Sequence, residues 1–304
     1  MEAVRSLTLG FGPHRVEMLD VMEEEMRRHK VVILEEPAHP DFYRLLAGKA
    51  GIRRYLVSGT FQFPRFVLRA CRRYQQLYAK EQIAFFQADP YVAVAQSLAA
   101  GRPPSTEMEE KVWECEHGAA RALLTYYEAV ANNNFDAMVK ATLSFARTDA
   151  HRIRLREELR AEEIFRIVQR TEGDVYVEAG YIHLYLYPLL KQKAAPQVRP
   201  RICFLLQEAI RGRSNLPWRQ HLSPGDVLTL RYINGKRERP GDLLLAAQSL
   251  IYVSLVSKEE KLPSPTDPFP HLSEELYLCR WVRRLSYAEC GEFYRQLRTQ
   301  GAQK

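Results

Sequence analysis

Cysteine is scarce in this chain and shows no pairing pattern. Its 304 residues hold five, Cys71, Cys115, Cys203, Cys279 and Cys290, an odd number with no C-x-x-C. That excludes a fully paired disulfide framework and a zinc ribbon, and it fits a reducing compartment. No run of about 18 apolar residues occurs, so no membrane-spanning helix and no membrane partner are expected. The first residues carry early acids and no apolar stretch of the secretory kind, so no leader is expected and the cytoplasm is the expected home. Repeats and low-complexity segments are absent. A phosphate-binding G-K-[ST] loop is also missing, which excludes a Walker A site.

Excess charge is modest. Lys and Arg number 44 against 37 Asp and Glu, leaving a formal +7. The basic runs "RACRRYQQLY", "NGKRERP" and "RWVRRL" are scattered and interspersed with acids. A nucleic-acid reader needs a concentrated stripe, so nucleic acid is not the expected partner. Hydrophobic residues at 46% and charged residues at 27% are what a globular core with a charged surface requires.

What is present is an alternation of strand-like and helix-like segments. "SLTLGF" reads as a strand, Val16 to His29 as an acidic amphipathic helix, and "KVVILEE" as a strand buried on both faces. "HPDFYRLLAGKAG" reads as a short helix stopped by glycine, and "RRYLVSG" as a third strand. Phe66 to Lys80 reads as a helix and "QIAFFQADPY" as a fourth strand. Thr106 to Gln169 holds no good strand and reads as two or three long helices. "GDVYVEAGYIH" then gives a strand and turn, "LYLYPLLKQK" a helix and "PRICFLLQEAI" another strand-like segment. "PGDLLLAAQSLIYVSLVSKEEK" and "SYAECGEFYRQLRTQ" close the chain as helices. Strands spaced by helices of this length imply parallel crossovers. The expected fold is α/β, a mainly parallel sheet flanked by helices, with a long helical insertion before the last parallel strand. The expected organisation is one α/β domain over 1–304. Its site-bearing core covers 1–195, and the strand and helices of 196–304 complete it.

The turn after the first strand reads Gly10-Phe-Gly12-Pro-His-Arg15. It approaches the dinucleotide fingerprint G-x-G-x-x-G, and Glu35 and Glu36 end the second strand where a ribose-binding acid would stand. Arg15 replaces the third glycine, however, and Pro13 removes an N–H that should face the pyrophosphate. A nucleotide cradle is therefore not expected.

A different constellation lies at the carboxyl ends of these strands: His14 after the first, Glu35 and Glu36 after the second, Asp89 after the fourth and His183 after "VYVEAG". Ligands of open α/β sheets bind in the crevice outside such ends. Adjacent glutamates on a strand point to opposite faces. In "SFARTDAHRIRLREEL", Arg147, His151 and Arg154 share one helix face, and Asp149, Arg152 and Arg156 share its neighbour. Arg147 follows apolar "TLSFA" and reads as inward-pointing, whereas Arg154 and Arg156 read as solvated. Glu178 reads either as a backing partner or as solvent-facing. His39 reads as a helix-start residue and is the substitute if His14 fails. His29, His117, His221 and His271 have no companions. Tyr181 and Tyr185 share a face, for which core packing is the commoner explanation.

"DVYVEAGYIHLYLYPLLK" resembles the second G-x-x-H motif of the TraB/Tiki and erythromycin-esterase/ChaN-like superfamily. The early strand ending in a glycine-histidine turn, the second strand ending in glutamates and the arginine-bearing helix are similar too. The resemblance covers roughly residues 5–193. It implies an erythromycin-esterase/ChaN-like fold and a site made of His14, Glu35, Glu36, Arg147 or Arg152, and His183. The first motif departs from the family's spacing, because Gly10-Phe-Gly-Pro-His14 does not read G-x-x-H. The superfamily includes metal-dependent peptidases, esterases and haem- or iron-binding members. The resemblance therefore implies a site more firmly than a reaction.

Two imidazoles and a carboxylate, His14, His183 and Glu36, would suit a divalent ion such as zinc or manganese. A metal-free site with a histidine base, an orienting glutamate and an arginine electrophile is equally compatible. The expected function is hydrolysis of an ester or amide in a small-molecule or peptide substrate. The alternatives are a non-catalytic binder of a metal, haem or small ligand in the same crevice, and a scaffold whose C-terminal helices mediate self-association.

Overall fold

The computed structural model describes residues 6–58, 61, 63–194, 198, 200–211 and 221–301. The chain runs β1 (Leu7–Phe11), α1 (Leu19–Met26), β2 (Val31–Leu34), α2 (Phe42–Leu46), α3 (Ile52–Ser58), α4 (Pro64–Glu81), β3 (Ala84–Gln87) and α5 (Pro90–Ala99). Two long helices follow, α6 (Glu107–Ala131) and α7 (Phe135–Val168), then β4 (Val175–Ala179), α8 (Leu186–Ala194), β5 (Pro200–Phe204) and α9 (Leu205–Ile210). Four helices close the chain: α10 (Pro224–Ile233), α11 (Pro240–Leu255), α12 (Pro270–Val282) and α13 (Tyr287–Gly301). No helix among the described residues is long and apolar enough to cross a membrane.

The five strands form one sheet in the order β3-β2-β4-β1-β5, and every pairing is parallel. The fold is thus α/β with a parallel sheet among helices; the long helical insertion falls between β3 and β4 and so precedes the last parallel strand but one, because β5 also pairs in parallel with β1. β1 and β2 are buried along their whole length, as strands covered by helices on both faces must be. β4 enters between β1 and β2, so the carboxyl ends of all three lie side by side. "RRYLVSG" is a correction: residues up to Ser58 form α3, and Gly59 lies outside the described residues. Arg53 and Arg54 are exposed and Tyr55 is buried three residues after Ile52. That spacing belongs to a helix face and not to a period of two.

The expected single domain is internally divided into two compact units. One comprises Met1–Ala100, Arg156–Asn215 and Glu260–Pro268; the other comprises Gly101–Leu155, Leu216–Glu259 and Phe269–Lys304. The expected 195/196 boundary lies outside the described residues. The first unit holds the whole sheet. Its core cluster takes alternate strand residues, Leu7, Leu9 and Phe11, Val31 and Ile33, Val175, Val177 and Ala179, packed with Ile164, Ile167, Leu186 and Leu190. The other parity, Thr8, Gly10, Tyr176 and Glu178, therefore faces the opposite side of the sheet. The second unit is helical, with Met138, Val139, Leu228, Ala247, Ile251, Cys279 and Val282 in its core.

Gly10 owes its place to this parity. A Cβ there would fall 2.1 Å from Tyr176 Oη, inside the tyrosine ring. Gly12 lies close to Leu205, and its N–H donates to Ala179 O at 3.0 Å. Both glycines of the near-miss fingerprint are explained by close packing within the sheet and beside α9.

Candidate functional site

Four of the five strands each deliver one part of the site. After β1 the turn presents His14, whose ring stacks on Phe66 with centroids 5.4 Å apart. At β2 the two glutamates separate. Glu35 turns into a cluster of cations, and Glu36 turns toward Tyr55 and Gln87. At β3 the chain ends in Asp89, whose Oδ1 caps α5 by accepting the Val92 N–H at 3.1 Å, with Pro90 preset for the first turn. β4 contributes Glu178 from within the strand, and the turn after it contributes Gly180 and His183.

The Glu35 cluster is buried and densely paired. Its Oε1 lies 2.8 Å from His183 Nε2 and 2.8 Å from Arg156 Nη2. Its Oε2 accepts the Gly180 N–H at 2.6 Å. A Cβ on Gly180 would crowd His183 Cδ2 at 3.3 Å, so the small residue permits the close approach. Arg156 also meets Asp89 Oδ2 at 2.5 Å. His183 Nδ1 lies 2.7 Å from Glu157 Oε1, and Arg160 bridges Glu157 at 3.4 Å and Glu35 at 3.6 Å. Arg160 further donates to the backbone carbonyl of Glu178 at 3.1 Å. Burial alone would raise the Glu35 carboxyl, but His183, Arg160 and Arg156 outweigh it and hold Glu35 well below the usual carboxylate range. Burial would likewise lower His183, and Glu35 and Glu157 reverse the sign and raise it.

Both glutamates border a cavity of about 580 Å³, lined by the polar side chains of His14, Glu35, Glu36, Asp89, Arg156 and Glu178 and by Tyr55, Phe61, Phe63, Phe66 and Val92. Glu36 Oε2 accepts hydrogen bonds from Tyr55 Oη at 2.9 Å and Gln87 Nε2 at 2.7 Å. Burial first, and the charge of Glu178 second, raise the Glu36 carboxyl above its ordinary value; those two hydrogen bonds and His14 pull the other way. His14 Nε2 stands 3.1 Å from Glu178 Oε1. The ring as a whole is 30% exposed, yet Nε2 itself is shielded from solvent. Desolvation there would lower the imidazole, but the contact and charge of Glu178, with Glu35 and Glu36 behind it, push it up to about 9.

The residues expected from sequence are thus distributed over distinct environments. Glu35 and His183 are in direct contact, and His14 and Glu36 line one cavity. Arg147 and Arg152 belong to the other compact unit. Arg147 pairs there with Glu238, and Arg152 with Asp149 at 2.7 Å. The arginines beside Glu35 are Arg156 and Arg160. Arg156, read from sequence as solvated, is largely buried. Glu178 is buried as the partner of His14, and His39 lines the cavity.

The ligand set His14, Glu36 and His183 does not converge. Both ring nitrogens of His183 already face carboxylates, and guanidinium groups stand beside Glu35 where a metal would have to neutralise it. Among the described residues no group of three His, Cys, Asp or Glu is arranged to hold a metal ion. The donor set does not fit zinc or manganese, so no chemical step is routed through a metal.

No protein-family profile matches the chain. No solved structure matches it either. An uncharacterized protein of Archaeoglobus fulgidus is 31% identical over 283 residues, which cover 92% of this chain and 95% of the archaeal one. Identity of that extent shows common descent along nearly the whole length, and the chain belongs to one family with that archaeal protein.

Proposed function

We propose that the protein is a hydrolase of an ester or amide, with Glu36 as general base and His14 as general acid across the cavity. The observation that carries this reading is the pairing of these two groups on one cavity wall. The Glu36 carboxyl is raised, which makes it a stronger base, and His14 is held protonated up to about pH 9. A carboxylate made more basic by burial and an imidazole held protonated divide the roles of base and acid. Glu36 takes a proton from water as the water oxygen adds to the substrate carbonyl carbon. The His14 imidazolium donates a hydrogen bond to the carbonyl oxygen as negative charge develops there, then gives its proton to the leaving alcohol or amine. Glu178 holds the imidazole in place, and the Tyr55 and Gln87 donors fix the Glu36 carboxylate through one oxygen. Glu35, His183, Arg156 and Arg160 position the strand ends; Glu35 and Arg156 also line the cavity but take no part in the proton transfers. We place the reaction in the cytoplasm; the five cysteines are free, as a reducing compartment keeps them.

The test is a screen of purified protein against aryl and alkyl esters and amides, followed by Glu36→Gln and His14→Asn. Each substitution lowers kcat by about 10² or more. The pH profile of the wild type rises through the raised Glu36 value and falls near pH 9 as His14 loses its proton. Ligand binding without any turnover would assign the cavity to a binding protein instead. Turnover unaffected by both substitutions would place the chemistry elsewhere.

A further inference from the structure

The charges around the cavity narrow what can enter it. Arg156 is engaged by Asp89 at 2.5 Å and by Glu35 at 2.8 Å. His14 is engaged by Glu178 at 3.1 Å. His39 Nδ1 accepts the Asp41 N–H at 3.1 Å. Behind the wall, Arg160 and His183 serve Glu35 and Glu157. Among the described residues that line the cavity, the cationic groups Arg156 and His14 are therefore each matched to a carboxylate, while Arg15, outside the lining, lies over the Phe63 ring at 5.3 Å. At the cavity, Glu36 takes its hydrogen bonds from the neutral donors Tyr55 and Gln87, both through Oε2. An anionic substrate would meet Glu36 and Glu178 and find no uncommitted cation.

Much of the remaining lining is aromatic or aliphatic. Phe61 and Tyr55 lie with ring centroids 5.7 Å apart, and Phe63, Phe66 and Val67 continue the wall. α5 adds Val92, Gln96 and Ala99, at i, i+4 and i+7, a single helix face. A volume of about 580 Å³ is in the range that encloses a drug-sized ligand.

We infer that the cavity takes an ester or amide whose acyl group is bulky, apolar and without negative charge, and that it discriminates against acids. This rests on the hydrolase reading for the word substrate, but the binding preference stands on the lining alone. The acyl chain lies against the aromatic wall and the α5 face while the carbonyl meets His14 and Glu36. Each methylene added within the cavity tightens binding about fourfold.

The experiment uses non-hydrolysable probes, so that binding and turnover are read separately. Phenyl pentyl ketone and its carboxylate-ended and trimethylammonium-ended analogues are titrated into the full chain by calorimetry. The neutral ketone binds, the carboxylate-ended one binds at least about tenfold more weakly, and the trimethylammonium-ended one binds no worse than the neutral one. In Glu36→Gln the gap between the neutral and carboxylate-ended probes narrows. Equal or tighter binding of the carboxylate-ended probe overturns the inference. So does failure of all three to bind, or an equal loss for both charged ends, which would mean size and not sign. Matching phenyl esters are then assayed for turnover. The expected affinity order without turnover sinks the hydrolase reading and leaves the ligand class standing. Turnover that favours acidic esters sinks the ligand class and leaves the hydrolase reading.

Discussion

Substituting Glu178 by Gln isolates the interaction that keeps His14 protonated. In the folded protein His14 is pushed from an ordinary 6.5 to about 9, roughly 2.5 pH units, and Glu178 is the nearest cause opposing the desolvation of Nε2. At about 1.4 kcal/mol per pH unit this would be at most about 3.5 kcal/mol. The ring is 30% exposed, so solvent screening reduces the measurable part to about 1–2 kcal/mol. The sign follows from linkage. A folded value above the unfolded one contributes stability that is fully present below pH 6.5 and lost as pH rises through about 9. Glutamine keeps the volume and removes the charge, leaving desolvation to pull the imidazole back down. The assay is urea unfolding of wild type and Glu178→Gln at several values between pH 6 and pH 9.5, with the His14 ring titrated by NMR. The wild type loses about 1–2 kcal/mol more than the variant across that window, and His14 titrates near 9 only in the wild type. A wild-type His14 titrating at or below 6.5, or parallel stability curves for the two proteins, would refute the ion-pair reasoning.

Three further outcomes are expected. Gly10→Ala places a methyl inside the Tyr176 ring and costs about 3 kcal/mol or more in chemical denaturation; combined with Tyr176→Ala the two changes cost less than their sum, and simple additivity would show that the ring is not what excludes the methyl. His183→Ala leaves Glu35 and Glu157 without the imidazole between them and destabilises by about 3–5 kcal/mol at pH 7; a thermal midpoint within a degree of wild type contradicts the pairing. In the helical unit, buried Asp242 accepts from the Arg239 N–H at 3.2 Å, from Arg231 Nε at 3.1 Å and from Tyr232 Oη at 3.2 Å. Asp242→Ala strips those donors of their acceptor and lowers urea stability by about 2–4 kcal/mol, and no loss would place Arg231 and Tyr232 elsewhere in solution.

The sheet was readable because its strands are short apolar runs between helical periods, and parallel strands covered on both faces must look like that. "RRYLVSG" misled for a physical reason. β-Branched and aromatic residues in a short window suit a strand, and only the three-residue step from Ile52 to Tyr55 separates the two readings. The interleaving of two compact units was not readable. Neither "GRPPST" nor "KLPSPTDPFPH" looks different from an ordinary loop, and another crossing lies inside continuous α7 between Leu155 and Arg156, where no breaker marks it.

The site shows the same division. Strand-end acids and histidines were legible because parallel topology gathers carboxyl ends at one edge. Choosing among the arginines of α7 was not a matter of their neighbours but of helical phase. Ala161, Ile164 and Val168 fix the buried stripe of that helix, and stepping back by four from Ala161 and by four from Ile164 lands on Glu157 and Arg160. Charged residues on an apolar stripe are costly unless paired, so their presence there was itself a signal for a buried ionic cluster. Arg147 lies near apolar residues in sequence, but it is exposed and paired with Glu238. Glu178 carries the parallel lesson on a strand. Its parity sets it with Gly10 and Tyr176, opposite the core residues Val177 and Ala179, and the turn after β1 brings His14 to the same face. Pro13 and Arg15 fail a nucleotide cradle because the turn serves that imidazole. The glycines before it are demanded by the tyrosine ring and by Leu205, and not by a phosphate.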